Sequence, residues 1–501
     1  MTIPMRSSLL KRGLVVLLAW MTAACSALPL PGLPEPTSAD YTPFPMRLPA
    51  TVTPTLTGGP SRPASGTDSQ QASPISPLTG VPAETLSPGE TQTPPAAAVT
   101  ASPTSASRQP SGSLLFISGQ RLGRWDSQSG RSVFLAEDVA EYTLDMQGKF
   151  VVFLHASAEN GENQFTLVLL DLQSEKTRVL LEKTPRIYNL TLSPDSNWVV
   201  YTTQEQGGVI YALSTAEDSS PVRVGACQQE LDWECTGSVQ WSADSRSLVW
   251  SDRQGLWITS PVEPDPVLVV SNTIEVTDPR GNINPVQVTF SELSWSPNGR
   301  FILARVSPLN SQVNWRAVID TRRRMVAQVP GTYQFEDYPA ALTWMPDGRL
   351  IAAYPVADGD ETPLVRIWRI VPTAVNMILE QVNYPLRIDN IPELQPGSDT
   401  TSTYIPDWPV LISDRLFGFG LLSTDSRIPP LLVTLDLEYG ILQKFSGLPE
   451  DVREVYWSPR GGGALIVSEQ DDYLFTPAFR DSFQDLNPII GEEACCFQWL
   501  S

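Results

Sequence analysis

The chain has 501 residues, 55 acids against 34 bases for a net charge of −21, and a single histidine, His155. That balance excludes nucleic acid as an expected partner, because phosphate contacts need clustered Lys and Arg. One imidazole leaves little room for a multi-His metal centre or a Ser-His-Asp array, and the anomaly of the composition is its 46 prolines.

The chain opens on a basic segment, Arg6, Lys11 and Arg12, followed by the apolar run Leu14–Met21. The run is far shorter than the roughly 20 apolar residues a membrane span needs. With the small residues behind it, it reads as a secretory signal over 1–24. The segment Thr22-Ala23-Ala24-Cys25 resembles the lipobox of bacterial lipoproteins, with Thr22 where Leu is usual. The resemblance implies that Cys25 becomes the lipidated first residue of an exported chain anchored in the bacterial cell envelope. Residues 26–112 hold 18 of the 46 prolines, and nearly everything between them is Ser, Thr, Ala or Gly. Such a segment cannot bury enough surface to offset its ordering entropy, so 25–112 is expected to be a disordered tether.

Beyond residue 112 the sequence repeats itself. Three short β runs (114–118, 120–126 and 131–136) precede a weak copy of the repeat at Leu144-Asp-Met-Gln-Gly-Lys-Phe-Val-Val-Phe153. Clearer copies begin at Leu192 (Leu-Ser-Pro-Asp-Ser-Asn-Trp), Trp241 (Trp-Ser-Ala-Asp-Ser-Arg), Trp295 (Trp-Ser-Pro-Asn-Gly-Arg), Trp344 (Trp-Met-Pro-Asp-Gly-Arg) and Trp457 (Trp-Ser-Pro-Arg-Gly-Gly). The Pro and Asp/Asn-Gly pairs supply turn dihedrals, and the Val, Ile, Phe, Leu and Trp that follow have strand propensity, so each copy reads as strand, tight turn, strand. About 25 residues later several units carry an apolar strand ending in Asp, at Asp126, Asp171, Asp320 and Asp436. Four strands per unit of about 48 residues is the arithmetic of a propeller blade.

The gap between Trp344 and Trp457 leaves room for two units, with the stretch from Trp408 to Phe419 as the worn copy. Only three strands precede Leu144, and the chain ends in Cys496-Phe-Gln-Trp-Leu-Ser501, an inner strand with Trp499 in the lead position. The last strand is therefore expected to complete the first blade, leaving no broken edge. Lead positions at 144, 192, 241, 295, 344, about 408, 457 and 499 give an all-β, eight-bladed β-propeller over 113–501, with seven blades as the alternative if 383–420 is an inserted loop. The motif resembles the repeat of TolB-like propellers, relatives of WD40 repeats that also occur in dipeptidyl-peptidase-IV-like enzymes. The resemblance implies the fold and leaves function open, since the family includes scaffolds, binding proteins and enzyme appendages. Where TolB has an α/β domain this chain has the Pro/Thr-rich tether, and the Gly-x-Ser-x-Gly elbow of the peptidases is absent.

Candidate chemistry is sparse. Trp241, Trp295, Trp344, Trp457 and Trp499 recur at one position per blade and are expected to pack between blades, with carbohydrate stacking as the alternative. Asp126, Asp171, Asp320 and Asp436 are expected to accept hydrogen bonds from turn N–H groups. Cys227 and Cys235 are the candidate disulfide of an oxidising compartment. Cys495 and Cys496 are adjacent, and neighbours in a regular strand point to opposite faces, which leaves only a strained vicinal disulfide between them. The acid clusters Asp358–Glu361, Glu469–Asp472 and Glu492–Glu493 read as solvated turns, with Ca²⁺ the minority reading and no other metal or cofactor expected. His155 falls at a strand end without a partner, Arg322–Arg324 reads as a solvated turn, and Asn160-Gly161 as a hairpin turn.

The expectation is a lipid-anchored exported lipoprotein whose propeller is a non-catalytic binding or scaffold module for an envelope protein or glycan, with partner contacts sought in the connections 271–290 and 383–407. The alternative is a propeller hydrolase or lyase with carboxylates in the central channel. Inward-pointing acids with raised pKa values there would favour the enzyme.

Overall fold

The computed structural model describes residues 112–500 apart from 160–161, 204–207, 228–238, 278–282, 310–312, 333, 336–339, 356–363, 385, 388–390, 392–403, 424–428 and 479–481. The chain forms eight antiparallel sheets. Blade 1 takes β1 (Ser113–Ser118), β2 (Arg121–Asp126) and β3 (Arg131–Ala136) from the start of the described chain. Blade 2 is β4 (Val139–Leu144), β5 (Phe150–Glu159), β6 (Glu162–Asp171) and β7 (Lys176–Thr184), and blade 3 is β8 (Ile187–Leu192), β9 (Trp198–Thr203), β10 (Val209–Ser214) and β11 (Val222–Ala226). Blade 4 is β12 (Gln240–Trp241), β13 (Leu248–Asp252), β14 (Gly255–Thr259) and β15 (Val267–Ser271). Blade 5 is the largest: β16 (Thr273–Thr277), β17 (Ile283–Trp295), β18 (Phe301–Pro308), β19 (Val313–Asp320) and β20 (Met325–Gln328), with β21 (Gln334–Phe335) paired to β19. Blade 6 is β22 (Ala341–Trp344), β23 (Leu350–Ala353), β24 (Val365–Pro372) and β25 (Met377–Val382). Blade 7 is β26 (Tyr404–Ser413), β27 (Leu416–Ser423), β28 (Leu431–Asp436) and β29 (Ile441–Gly447). Blade 8 is β30 (Val452–Trp457), β31 (Gly463–Ser468), β32 (Tyr473–Pro477) and β33 (Gln484–Asp485), followed by the one-turn helix α1 (Asn487–Ile490) and β34 (Cys495–Trp499).

β34 pairs with β1, matching Leu114 with Trp499 and Leu115 with Gln498, so the first and last strands share blade 1. The N–H of Leu500 then donates to the carbonyl of Ser113 at 2.8 Å. This is an eight-bladed propeller closed by its own termini, and the seven-blade alternative is excluded. The first strands of neighbouring blades lie side by side, as β4 does with β8 and β30 with β34, and line the axis.

The core is distributed between the blades. Successive strand residues point to opposite faces. In β5, Val151 and Phe153 therefore enter the layer shared with Leu115 and Leu122 of blade 1, while Val152 and Leu154 enter the layer shared with Val199 and Leu213 of blade 3. The same division repeats around the ring, and the layer between blades 8 and 1 holds Phe116, Trp125, Phe475 and Phe497. Each such buried side chain contributes roughly 1.5–3 kcal/mol. A blade alone would expose both of its apolar faces, so stability comes from neighbours and from closure.

Two expectations change. Residues 271–290 are mostly strand: β16 pairs with the first half of β17, Thr273 opposite Gln287 and Thr277 opposite Ile283, extending blade 5 beyond β18. The alternation in Thr-Ile-Glu-Val-Thr, ahead of an Asp-Pro-Arg-Gly turn signal, is the cue for that hairpin. In blade 7 the counterpart of the lead Trp is Leu411, not Trp408. Leu411 pairs with Phe417 as Trp344 pairs with Leu350, and a bulge between Asp407 and Val410, with Trp408 at φ 48°, absorbs the offset.

Candidate functional site

Strands alternate in direction within a sheet, so, counting outward from the axial strand (β17 in blade 5 and β34 in blade 1), links between first and second strands and between third and fourth emerge on one face of the ring. All other links emerge on the opposite face. The first, the turn face, carries short links, the longest being 215–221 and 260–266. The second, the loop face, carries 227–239, 329–340, 354–364 and 383–403.

The repeated motif builds the turn face. Ser296 Oγ accepts from Phe301 N at 2.8 Å and donates to Asn298 Oδ1 at 2.9 Å, and Asn298 in turn accepts from Arg300 N at 3.0 Å. Ser193 with Asp195, and Ser242 with Asp244, do the same at 2.6 and 2.7 Å. In blade 8 the position after Pro459 is Arg460, and the buried Ser458 Oγ has no partner. The fifth motif position is left-handed throughout, with φ 65° at Gly148 and Gly299 and 62° at Ser196 and Ser245. The two serines offset that strain by bonding to a neighbouring blade: Ser196 Oγ donates to Asp145 Oδ2 at 2.7 Å, and Asp195 N donates to Ser245 Oγ at 2.9 Å.

The lead tryptophans link blades. Trp295 Nε1 donates to the carbonyl of Gln240, Trp344 Nε1 to that of Ser294 and Trp457 Nε1 to that of Trp408, each at 3.2 Å. Trp499 Nε1 donates to that of Tyr456 at 3.0 Å. Trp241 is buried, with its Nε1 unpartnered. The four repeated aspartates each accept from N–H groups of their own turns, and Asp436 also pairs with Arg415 of the neighbouring hairpin at 3.3 Å. Asp126 accepts from Ser129 N at 2.7 Å, Asp171 from Gln173 N at 2.8 Å and Asp436 from Glu438 N at 2.9 Å. Asp320 accepts from Arg322 N at 3.0 Å and from Arg300 Nη2 at 2.7 Å. Burial would raise the pKa of Asp320, but the Arg300 guanidinium and the turn N–H groups outweigh it and hold the carboxyl below the usual range.

At the turn face the axial strands border a cavity of about 630 Å³ lined by Leu144, Trp408, Leu411, Tyr456, Trp457 and Trp499. Trp408 lies over Gly420, where a Cβ would stand 2.5 Å from its ring, so only glycine leaves room for it. A second hollow of about 500 Å³ lies between the outer strands β20 and β25.

Further along the same strands stand Glu141, Glu292 and Glu454, which the sequence reasoning missed, and Cys496, which it read only as one of an adjacent pair. Glu141, Glu292, Glu454 and Cys496 each fall three residues before a lead position, at 144, 295, 457 and 499, and that spacing is the signal that could have found them. Burial raises the pKa of Glu141 against the N–H of Leu190, 3.2 Å away, and the charge of Arg186. Burial also raises Asp407 against the N–H of Trp408, and the nearby Glu292 charge adds to the rise. Burial pushes Glu292 the same way, but Arg316 at 2.5 Å and Arg305 at 3.0 Å hold it below its ordinary value. Tyr456 donates its hydroxyl proton to Glu454, and Tyr142 donates to the carbonyl of Cys496. Glu141 and Asp407 thus hold a proton more readily than ordinary carboxyls, and the aromatic wall offers stacking area for a planar or apolar group.

Other expectations fare differently. Cys25, Cys235, Asp358–Glu361 and Asn160-Gly161 lie outside the described residues, while Cys227 is buried and disulfide-bonded. His155 is not at a strand end: it sits inside β5 opposite Val139 and Thr166, with Nε2 4.0 Å from Asp138 Oδ2. Arg323 donates to the carbonyl of Thr373 in blade 6, so the basic run is not simply solvated. Glu469–Asp472 is a hairpin turn in which Asp471 pairs with Arg453 at 2.8 Å. Glu492 and Glu493 link α1 to β34 and are not in a hairpin. Among the described residues, no three His, Cys, Asp or Glu side chains are grouped to hold a metal ion.

No protein-family model matches the sequence, and no curated protein matches it. Solved structures do match in fold. Dipeptidyl peptidase 4 of Porphyromonas gingivalis is 10% identical, over 74% of this chain and 57% of its own, with a TM-score of 0.45. TolB from Acinetobacter baumannii is 11% identical, over 76% and 75%, with a TM-score of 0.31. Dihydro-heme d1 dehydrogenase is 13% identical, over 78% and 75%, with a TM-score of 0.43. At these identities the likeness is one of fold alone.

Proposed function

We propose that this chain is an exported lipoprotein, lipidated at Cys25, whose propeller acts as a non-catalytic binding module for an envelope protein or glycan. The observation that carries the reading is the asymmetry of the two faces. The turn face is built from short links bonded within and between blades, while the long links 227–239, 354–364 and 383–403 all leave on the loop face. Loops on a rigid scaffold are where recognition is placed, so the partner meets the loop face. The anchoring half is tested by Cys25→Ser, which is expected to move the protein from the membrane fraction to the soluble fraction; unchanged membrane association would contradict it. The binding half is tested with the full chain on a glycan array and against envelope proteins, with variants on each face.

A second reading, a hydrolase or lyase using channel carboxylates, is favoured by one observation: burial raises the pKa of both Glu141 and Asp407, on axial strands. Glu141→Gln and Asp407→Asn, assayed against envelope glycans, separate the readings. Turnover by the parent chain that both variants lose would establish the enzyme.

A further inference from the structure

The two cysteines of the closing strand are not in a regular ladder. Cys495 pairs with Ile117, but the register slips before Leu115 pairs with Gln498, and Cys496 sits in the slip at φ 61°. A bulge leaves one residue unpaired and bends the strand, so neighbouring side chains no longer diverge as they do on a flat pleat. The regular ladder on which these cysteines would face apart is therefore not present here. Both are free thiols and exposed, and the neighbouring Cys496 thiol favours the thiolate of Cys495. Around them stand Tyr142 and Glu141 of β4, Glu454 and Tyr456 of β30, and Tyr473 of β32.

We propose that Cys495 and Cys496 form an accessible vicinal dithiol that exchanges with small disulfides and closes to a Cys495–Cys496 disulfide. The site is independent of what the loop face binds. The roles of the two sulfurs differ. The S–H of Cys496 favours a thiolate on Cys495 and lowers its pKa to about 7. That same interaction, together with burial and the nearby Cys495, Glu141 and Glu454 charges, keeps Cys496 protonated. The Cys495 thiolate attacks one sulfur of an external disulfide, forming a mixed disulfide and expelling the first external thiolate. Cys496 then releases its proton to solvent, and its sulfur attacks Cys495 Sγ, expelling the second thiolate. Two protein thiols are oxidised, one external disulfide is reduced to two thiols, and the protons lost by the cysteines are taken up by the leaving thiolates.

The test uses the full chain, reduced and then treated with glutathione disulfide at pH 7, followed by intact mass and peptide mapping. The expected product is a 495–496 peptide lighter by two hydrogens and free of glutathione. Cys496→Ser is expected to stop at a stable glutathione adduct on Cys495, and Cys495→Ser to react about tenfold more slowly, as thiolate fraction dictates. A glutathione adduct that persists on the parent chain, or two unreacted thiols, would overturn the proposal. So would Cys495→Ser reacting as fast as the parent. The mapping on the parent chain decides the matter even if a variant fails to fold.

Discussion

Trp499 Nε1 donates to the backbone carbonyl of Tyr456 at 3.0 Å, tying the closing strand β34 of blade 1 to the first strand of blade 8. The bond repeats one made by Trp295 to Gln240 and by Trp344 to Ser294, where the chain between blades is continuous. At the seam nothing covalent joins β34 to β1. The ring is held there by three residue pairings between β34 and β1, the Leu500–Ser113 backbone bond, and the aromatic packing of Trp125 of β2 on Phe475 of blade 8 and on Trp499, with ring centroids 5.2 and 6.2 Å apart.

Removing residues 495–501 is therefore expected to expose the edge of β1 and the layer containing Phe116, Trp125 and Phe475, and to lower the thermal midpoint of the whole ring. Trp499→Phe, which keeps the ring but loses the donor, is expected to cost about 1 kcal/mol in denaturant titration. A melting curve unchanged by the truncation would contradict closure.

The motif serine gives a paired test. Ser296→Ala removes a hydroxyl that serves Phe301 N and Asn298 Oδ1, and is expected to destabilise by about 1–2 kcal/mol. Ser458→Ala removes a buried hydroxyl with no partner, and is expected to be neutral or slightly stabilising. Equal losses in both variants would contradict the role assigned to the Ser–Asp/Asn pair.

Asp320 sets an acid limit. Its folded pKa lies below the ordinary aspartate value of about 3.9, so it contributes stability that is present above that value and lost as pH falls through the folded pKa. Asp320→Asn is expected to be about 1–3 kcal/mol less stable at pH 7, with the gap from the parent narrowing as pH falls below the ordinary aspartate value. A gap that does not change with pH would show that the carboxylate charge is not what matters.

Asp407 has the opposite sign. Its folded pKa is raised by burial, with Glu292 adding to the rise, so its contribution is destabilising at neutral pH and disappears as pH falls through the folded pKa. Asp407→Asn is expected to be more stable than the parent at pH 7 and to match it in acid. A loss of stability at pH 7 would contradict this reading of the axial strands.

The fold was legible in the sequence because the propeller repeats a local signal. Ser-Pro-Asn-Gly at 296–299 fixes a turn, and Phe301-Ile-Leu-Ala304 must then be buried on both sides. Blade 7 was read three residues out of register, because a bulge at Trp408 is set by its fit over Gly420, a contact between strands that no local pattern reports. The hairpin of β16 and β17 was read as a loop because its length matched no other unit. The axial groups were missed for a different reason. Glu141 and Glu454 look like ordinary surface residues in sequence, and they meet Cys496 only because ring closure sets β34 between β30 and β4. Their constant offset from the lead position was readable, but its meaning depended on knowing that first strands line the axis.

The central claim is that the loop face engages the partner. The most direct measurement places a photo-crosslinking residue at Gln254 on the loop face, and separately at Asn298 on the turn face, of the full chain in intact cells. Adducts to an envelope protein or glycan from position 254, with none from 298, are the expected result. Adducts confined to position 298 would contradict it.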